Sequence, residues 1–122
     1  MFNIFPIKGN IDLIDGFYCD GLNANLKKNK LDCGFIYSDT MCNVSAIFTK
    51  NKFQAAPLKH FLRYIDSDNN NTNNENKSSI QSNFVLINSK VANAMTGLQG
   101  IQDIDNIFKH LTAKFDFVKN PI

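Results

Sequence analysis

Residues 88–100, Asn-Ser-Lys-Val-Ala-Asn-Ala-Met-Thr-Gly-Leu-Gln-Gly, bring together the side chains best suited to holding a polar group. The amides of Asn88 and Asn93 both donate and accept hydrogen bonds. Thr96 adds a hydroxyl, and Gly97 and Gly100 give the backbone freedom to turn. Such a set either braces a loop or binds a polar substrate, and the residue types favour bracing. Thr96 also stands where it could cap the helix that follows. No Ser-His-Asp order, glycine-rich phosphate loop or paired-carboxylate motif accompanies the stretch. His60 and His110 are far apart, and Cys19, Cys33 and Cys42 form no C-x-x-C, so no metal spacing is expected.

The elements around this loop follow from periodicity. Residues 84–87, Phe-Val-Leu-Ile, form a continuous apolar run that suits a central strand covered on both faces. After the loop, Ile101, Ile104, Ile107, Phe108, Leu111 and Phe115 fall on one helical stripe. That stripe reads as core. Asp103 and Asp105 are expected in the helix's first turn, with Lys109, His110 and Lys114 near its end, matching the helix dipole.

Upstream, residues 16–39 read as two strands around a polar turn at 25–30, with Phe35 and Tyr37 on one face and Gly34 and Ile36 on the other. Residues 43–49, Asn-Val-Ser-Ala-Ile-Phe-Thr, alternate as a third strand would. From Phe53 to Ile65 the period changes to helical, with Pro57 tolerated in the first turn. His60 lies on or beside the apolar stripe, as a partly buried, hydrogen-bonded histidine. Residues 66–82 read as an asparagine-rich disordered surface loop, because six of the eight residues from 69 to 76 are asparagine. The final Asp-Phe-Val-Lys-Asn-Pro-Ile looks like another extended segment, since Pro121 disfavours helix in the residue before it.

The chain has 122 residues, is 43% hydrophobic and carries a formal charge of +2, which suits one domain with a modest core. The lysines are scattered and Arg63 is the only arginine, which argues against nucleic acid. No apolar run approaches the ~20 residues that span a bilayer, so no membrane role is expected. The start lacks the features of a secretory signal, and reduced thiols are expected in a cytoplasmic protein.

Several motifs, in order, resemble the N-terminal part of the ornithine acetyltransferase family of arginine biosynthesis. They are residues 16–21, Gly-Phe-Tyr-Cys-Asp-Gly; Ser38-Asp39; residues 46–58; and residues 87–100. The most specific pieces are Phe48-Thr49-x-Asn51 with Ala55-Ala56-Pro57, and Asn93-Ala94-x-Thr96-Gly97-x-x-Gly100. Lys90 stands where the family usually has glycine and Val91 where it has asparagine. If that glycine position needs a positive φ, Lys90 adds ~1 kcal/mol or more of strain.

The resemblance implies an α/β (α+β) fold with a mixed or antiparallel sheet and packed helices, similar to part of an N-terminal-nucleophile αββα sandwich. Residues 1–122 would be a single partial domain from the α chain. It implies a precursor that cleaves itself, a β chain whose new N-terminal threonine is the nucleophile, and a heterotetramer. The substrates would be N-acetylornithine and glutamate, with acetyl-CoA possible as a second donor and no cofactor. The family's oxyanion-hole Thr-Gly pair belongs to a different segment from Thr96-Gly97. No catalytic residue is therefore expected in these residues. Asn88, Asn93, Thr96, Gly97 and Gly100 remain structural candidates near a site, with substrate-binding residues unassigned. The alternatives are a non-catalytic binding or structural module on the same scaffold, and a hydrolase, against which residues 48–57 argue.

Overall fold

The computed structural model describes residue 9 and residues 11–70 and 80–122. A 3-10 turn at Ile11–Leu13 leads into β1 (Phe17–Leu22). Then come β2 (Cys33–Asn43), α1 (Ala56–Asn70), β3 (Gln81–Asn88) and α2 (Gly97–Lys114). The strands form one antiparallel sheet in the order β1-β2-β3.

The register puts Tyr18 opposite Tyr37 and Tyr37 opposite Phe84. Directly opposed residues share a face, so aromatic side chains collect on one side of the sheet. Tyr18 stacks on Tyr37 at 5.7 Å, Phe35 on Phe84 at 5.6 Å, and Phe117 meets Tyr37 edge-on at 4.9 Å. Phe35 and Tyr37 share this face, as their alternation in the sequence requires.

The C-terminal residues add to the sheet. Ile122 N–H donates to Phe84 O at 2.9 Å, and Leu86 N–H donates to Ile122 O at 2.7 Å. Asn83 reinforces the contact: its Oδ1 accepts from Lys119 N–H at 2.7 Å and its Nδ2 donates to Phe117 O at 2.8 Å. Val118 and Pro121 are buried. The final stretch runs beside β3, but it is not the extended segment expected: residues 116 and 117 form a turn, and Asn120, just before Pro121, takes a left-handed φ of 45°. Burial of β3 is one-sided, however. Phe84 is buried, but Ile87 on the opposite face is 46% exposed. The apolar run marks an interior position in the sheet without supplying a second covering layer among the described residues.

Three other expectations need correction. Residues 44–49 form no strand: Val44 N–H still reaches Ile80 O at 2.8 Å, but Ile47 is fully exposed. β3 begins at Gln81, opposite Asn43, so the alternating pattern runs past the end of its partner. A strand pattern without a ladder to join stays irregular. Phe48 docks 5.4 Å from Phe61 of α1.

Second, α1 continues to Asn70 and β3 starts at Gln81, so neither end of the segment read as a 66–82 loop is loop; residues 71–79 lie outside the described residues. Third, α2 starts at Gly97, earlier than the stripe suggested, so its first turn carries no acidic residue. Asp103 and Asp105 sit deeper in the helix. Asp103 accepts from Gln99 one turn away at 2.9 Å, and Asp105 pairs with α1. Lys114 does lie in the last turn.

The apolar side chains buried among the described residues are Ala56, Phe84, Val118 and Pro121, joined by buried polar Asp32, Ser38, His60, Ser82 and Asn83. The α2 stripe is only half-covered: Ile101, Ile104, Phe108 and Leu111 are intermediate, while Ile107 is 49% exposed. It faces a cleft more than a core.

Candidate functional site

α1 and α2 pack on each other above the aromatic face of the sheet, leaving a cleft of about 420 Å³. Cys33, Leu86 and Asn88 form its floor, Pro57, His60 and Phe61 one wall, and Ile104, Ile107 and Phe108 the other. Ala24, Leu26, Asn93 and Thr96 also line it. The lining is mostly apolar, with the amides and the hydroxyl gathered where β3 passes into α2.

That junction explains the residue types seen in the sequence. Lys90, Asn93 and Met95 take φ of 83°, 54° and 59°, and Gly97 takes 61°. Left-handed backbone suits glycine and is tolerated by asparagine. It confirms that the position of Lys90 demands a positive φ, with the strain that a side chain there carries. Asn93 Nδ2 donates to Asn88 Oδ1 at 3.0 Å, closing the loop across its base. The backbone carbonyl of Asn93 accepts from Ala56 N–H, the first residue of α1, at 2.9 Å. A helix start leaves such N–H groups without intrahelical partners, and here the loop supplies one.

Gly100 completes the joint. A Cβ built on it would stand 2.9 Å from Ala56 Cβ and 2.7 Å from Thr96 Cβ, so α1 and α2 meet at a point with no room for a methyl group. The Ala55-Ala56-Pro57 motif and the Asn93–Gly100 motif are therefore two sides of one contact. Sequence spacing gave no sign of that pairing; it needs the fold.

The candidates divide accordingly. Asn88, Asn93, Thr96 and Gly100 all line the cleft. Gly97 does not, and a Cβ on it would meet nothing within 4 Å; its role is its left-handed φ at the start of α2. Thr96 occupies the N-cap position but makes no side-chain cap bond, because its backbone is already helical (φ −84°, ψ −4°). Its hydroxyl donates instead to Asn93 O at 3.4 Å.

One turn further along the helix pair, buried His60 sets Nε2 2.9 Å from Asp105 Oδ1, and Arg63 reaches the same carboxylate at 3.0 Å. Phe108 packs edge-on to the imidazole at 5.3 Å. With Asp105 ionised and acceptor-only, Nε2 carries the proton. Burial opposes the Asp105 charge, but the hydrogen bonds and charges of His60 and Arg63 outweigh it and hold the carboxyl below its ordinary 3.8. His60 is thus buried and hydrogen-bonded, as read from its stripe, and its Nε2 is committed to clamping the helices.

Sequence reasoning passed over Ser89, Lys27 and Asp32, which also meet at this loop. The lone acidic residue after the lysine-rich turn is the only local signal they offered. Among the described residues, no group of three or more His, Cys, Asp or Glu side chains could hold a metal ion, and no helix is long and apolar enough to cross a membrane.

A solved structure, the arginine biosynthesis bifunctional protein ArgJ from Bacillus halodurans, matches this fold with a TM-score of 0.71. The match covers 88% of this chain and 51% of that one at 27% identity. The sheet and helix pair therefore belong to the N-terminal-nucleophile-like class of α+β folds. The ArgJ family pattern matches residues 18–122, and the chain belongs to that family. The bifunctional ArgJ protein of Wolinella succinogenes is 42% identical over all of this chain, and that of Staphylococcus epidermidis is 43% identical over 80% of it. The chain spans 28% and 22% of the lengths of those two relatives.

Proposed function

We propose that these residues are the N-terminal portion of a bifunctional ornithine acetyltransferase of arginine biosynthesis, acting in the cytoplasm. The full-length enzyme moves acetyl from N-acetylornithine to glutamate, and also takes acetyl from acetyl-CoA. The observation that carries this reading is the 42% identity to a bifunctional ArgJ protein across the whole chain. The meeting of both signature motifs at the Ala56–Asn93–Gly100 joint supports it.

In the proposed mechanism a threonine at the start of a β chain, freed by self-cleavage, attacks the acetyl carbonyl with its own amine as base. Ornithine leaves with the proton, and the amine of glutamate then takes the acetyl group from the ester and regenerates the hydroxyl. The described residues supply scaffold to that chemistry. The open apolar positions, Ile87 on the sheet and Ile107 on α2, support a β-chain partner in a heterotetramer.

The test is to express the full-length protein, weigh its mature chains and assay acetyl transfer from N-acetylornithine to glutamate. Two chains, the second beginning with threonine, and transfer to glutamate are expected. An uncleaved, inactive product would favour a non-catalytic module, the reading that Lys90 at a left-handed family glycine position supports. Release of acetate to water in place of transfer would favour a hydrolase.

A further inference from the structure

The turn between β1 and β2 reaches the 88–97 loop through the Lys27 side chain and the Asp32 backbone carbonyl. Asp32 is 3% exposed, and its carboxylate accepts from Ala24 N–H and Lys27 N–H, each at 2.6 Å. Asn23 Nδ2 donates to the Lys27 and Lys30 carbonyls at 2.9 and 2.6 Å. Lys27 is therefore held on both sides of its backbone. From there its ammonium donates to Ser89 Oγ at 2.6 Å, while Ser89 N–H donates to Asp32 O at 2.8 Å. The next residue is Lys90, at φ 83°.

We infer that Lys27, seated by Asp32, is a positioning residue for the 88–97 loop. It acts through Ser89 and fixes the chain where it enters the left-handed turn. The physical need is plain. Three non-glycine residues of this loop take positive φ, Lys90 and Met95 against their intrinsic preference, so the loop must be held from outside. At its far side the holding bond is Ala56 N–H to Asn93 O; at its near side Lys27 to Ser89 Oγ adds a charged side-chain bond to the backbone bond from Ser89 N–H to Asp32 O. A hydrogen bond from a charged donor is among the stronger single contacts available for this. Asp32 also serves as nearby countercharge to the ammonium. The inference deepens the proposed function and rests on it only for the claim that the loop supports an active site.

The experiment is native-state amide hydrogen exchange on the full-length protein, comparing Lys27→Met, Lys27→Arg, Ser89→Ala and the double variant Lys27→Met/Ser89→Ala. Removing a charge-assisted bond is expected to speed exchange at the Ser89 and Ala56 amides by about tenfold or more. The sheet amide of Leu86 should stay unchanged. Lys27→Arg should restore most of the protection. The double variant should be no worse than the worse single variant, because both remove one bond. The inference is overturned if Lys27→Met leaves both loop amides as they were, if exchange rises equally at Leu86, or if arginine rescues nothing. Exchange is read without substrate, so a wild-type protein that lacks acetyl transfer would count against the proposed function alone.

Discussion

Two successive turns of the α1–α2 contact are held in opposite ways. At the head, Ala56 and Gly100 touch because one carries only a methyl group and the other no side chain, and a loop carbonyl takes up the free N–H. One turn on, His60 and Asp105 are joined by polar groups that must be present. The first contact should fail on addition of atoms, the second on removal. The same helix pair thus constrains its sequence by exclusion at one point and by chemistry at the next.

Gly100→Ala should break the comparison most sharply. The new methyl would stand 2.9 Å from Ala56 Cβ, with the short Thr96 side chain unable to retreat far. Overpacking of this kind costs about 1–3 kcal/mol. The shift in denaturation midpoint of the full-length protein measures it, and Ala56→Gly in the same chain should recover part. His60→Ala should cost less, about 1–2 kcal/mol, from a lost hydrogen bond and the lost packing on Phe108. Arg63→Ala, on the same carboxylate, should cost under about 1 kcal/mol, because both partners are half-exposed. Equal effects at 60 and 63 would show that burial does not separate the two partners.

Lys90→Gly sharpens the picture from the loop side. It relieves a side chain held at φ 83° and should raise stability by up to about 1 kcal/mol, read from the same midpoint. A loss of stability would mean that the lysine side chain makes a contact worth more than the strain.

Acidity gives the smallest and most specific effect. The folded Asp105 carboxyl titrates below its ordinary value, so its contribution to stability is present above about 3.8 and fades as pH falls through the lower folded value. Asp105→Asn should flatten that part of the stability–pH curve. An unchanged acid limb would remove Asp105 from the clamp.

Local patterns spoke for much of this chain. Strands β1 and β2, the change to a helical period near Phe53 and the stripe of α2 all follow from spacing that depends only on neighbours. The buried His60 was legible because it sits within an apolar stripe. The strand expected at residues 44–49 failed for the opposite reason: alternation shows that a segment could pair, while pairing needs a ladder, and β3 starts too late to provide it. Thr96 was placed correctly as an N-cap position, yet its side chain does not cap, since that depends on a backbone angle no sequence pattern reports.

The amino-acid sequence by itself determined the types of β1, β2, α1, β3 and α2 and the family, because each is written in local residue chemistry; that residues 44–49 form no strand and that Lys90 takes a left-handed φ was decided by the fold. Only the tertiary structure decided that Ala56 lies against Gly100, that Asn93 closes the start of α1 and that Lys27 reaches Ser89, 62 positions away. Those contacts join residues whose separation along the chain carries no period. They exist only once the sheet has brought the ends of its strands together.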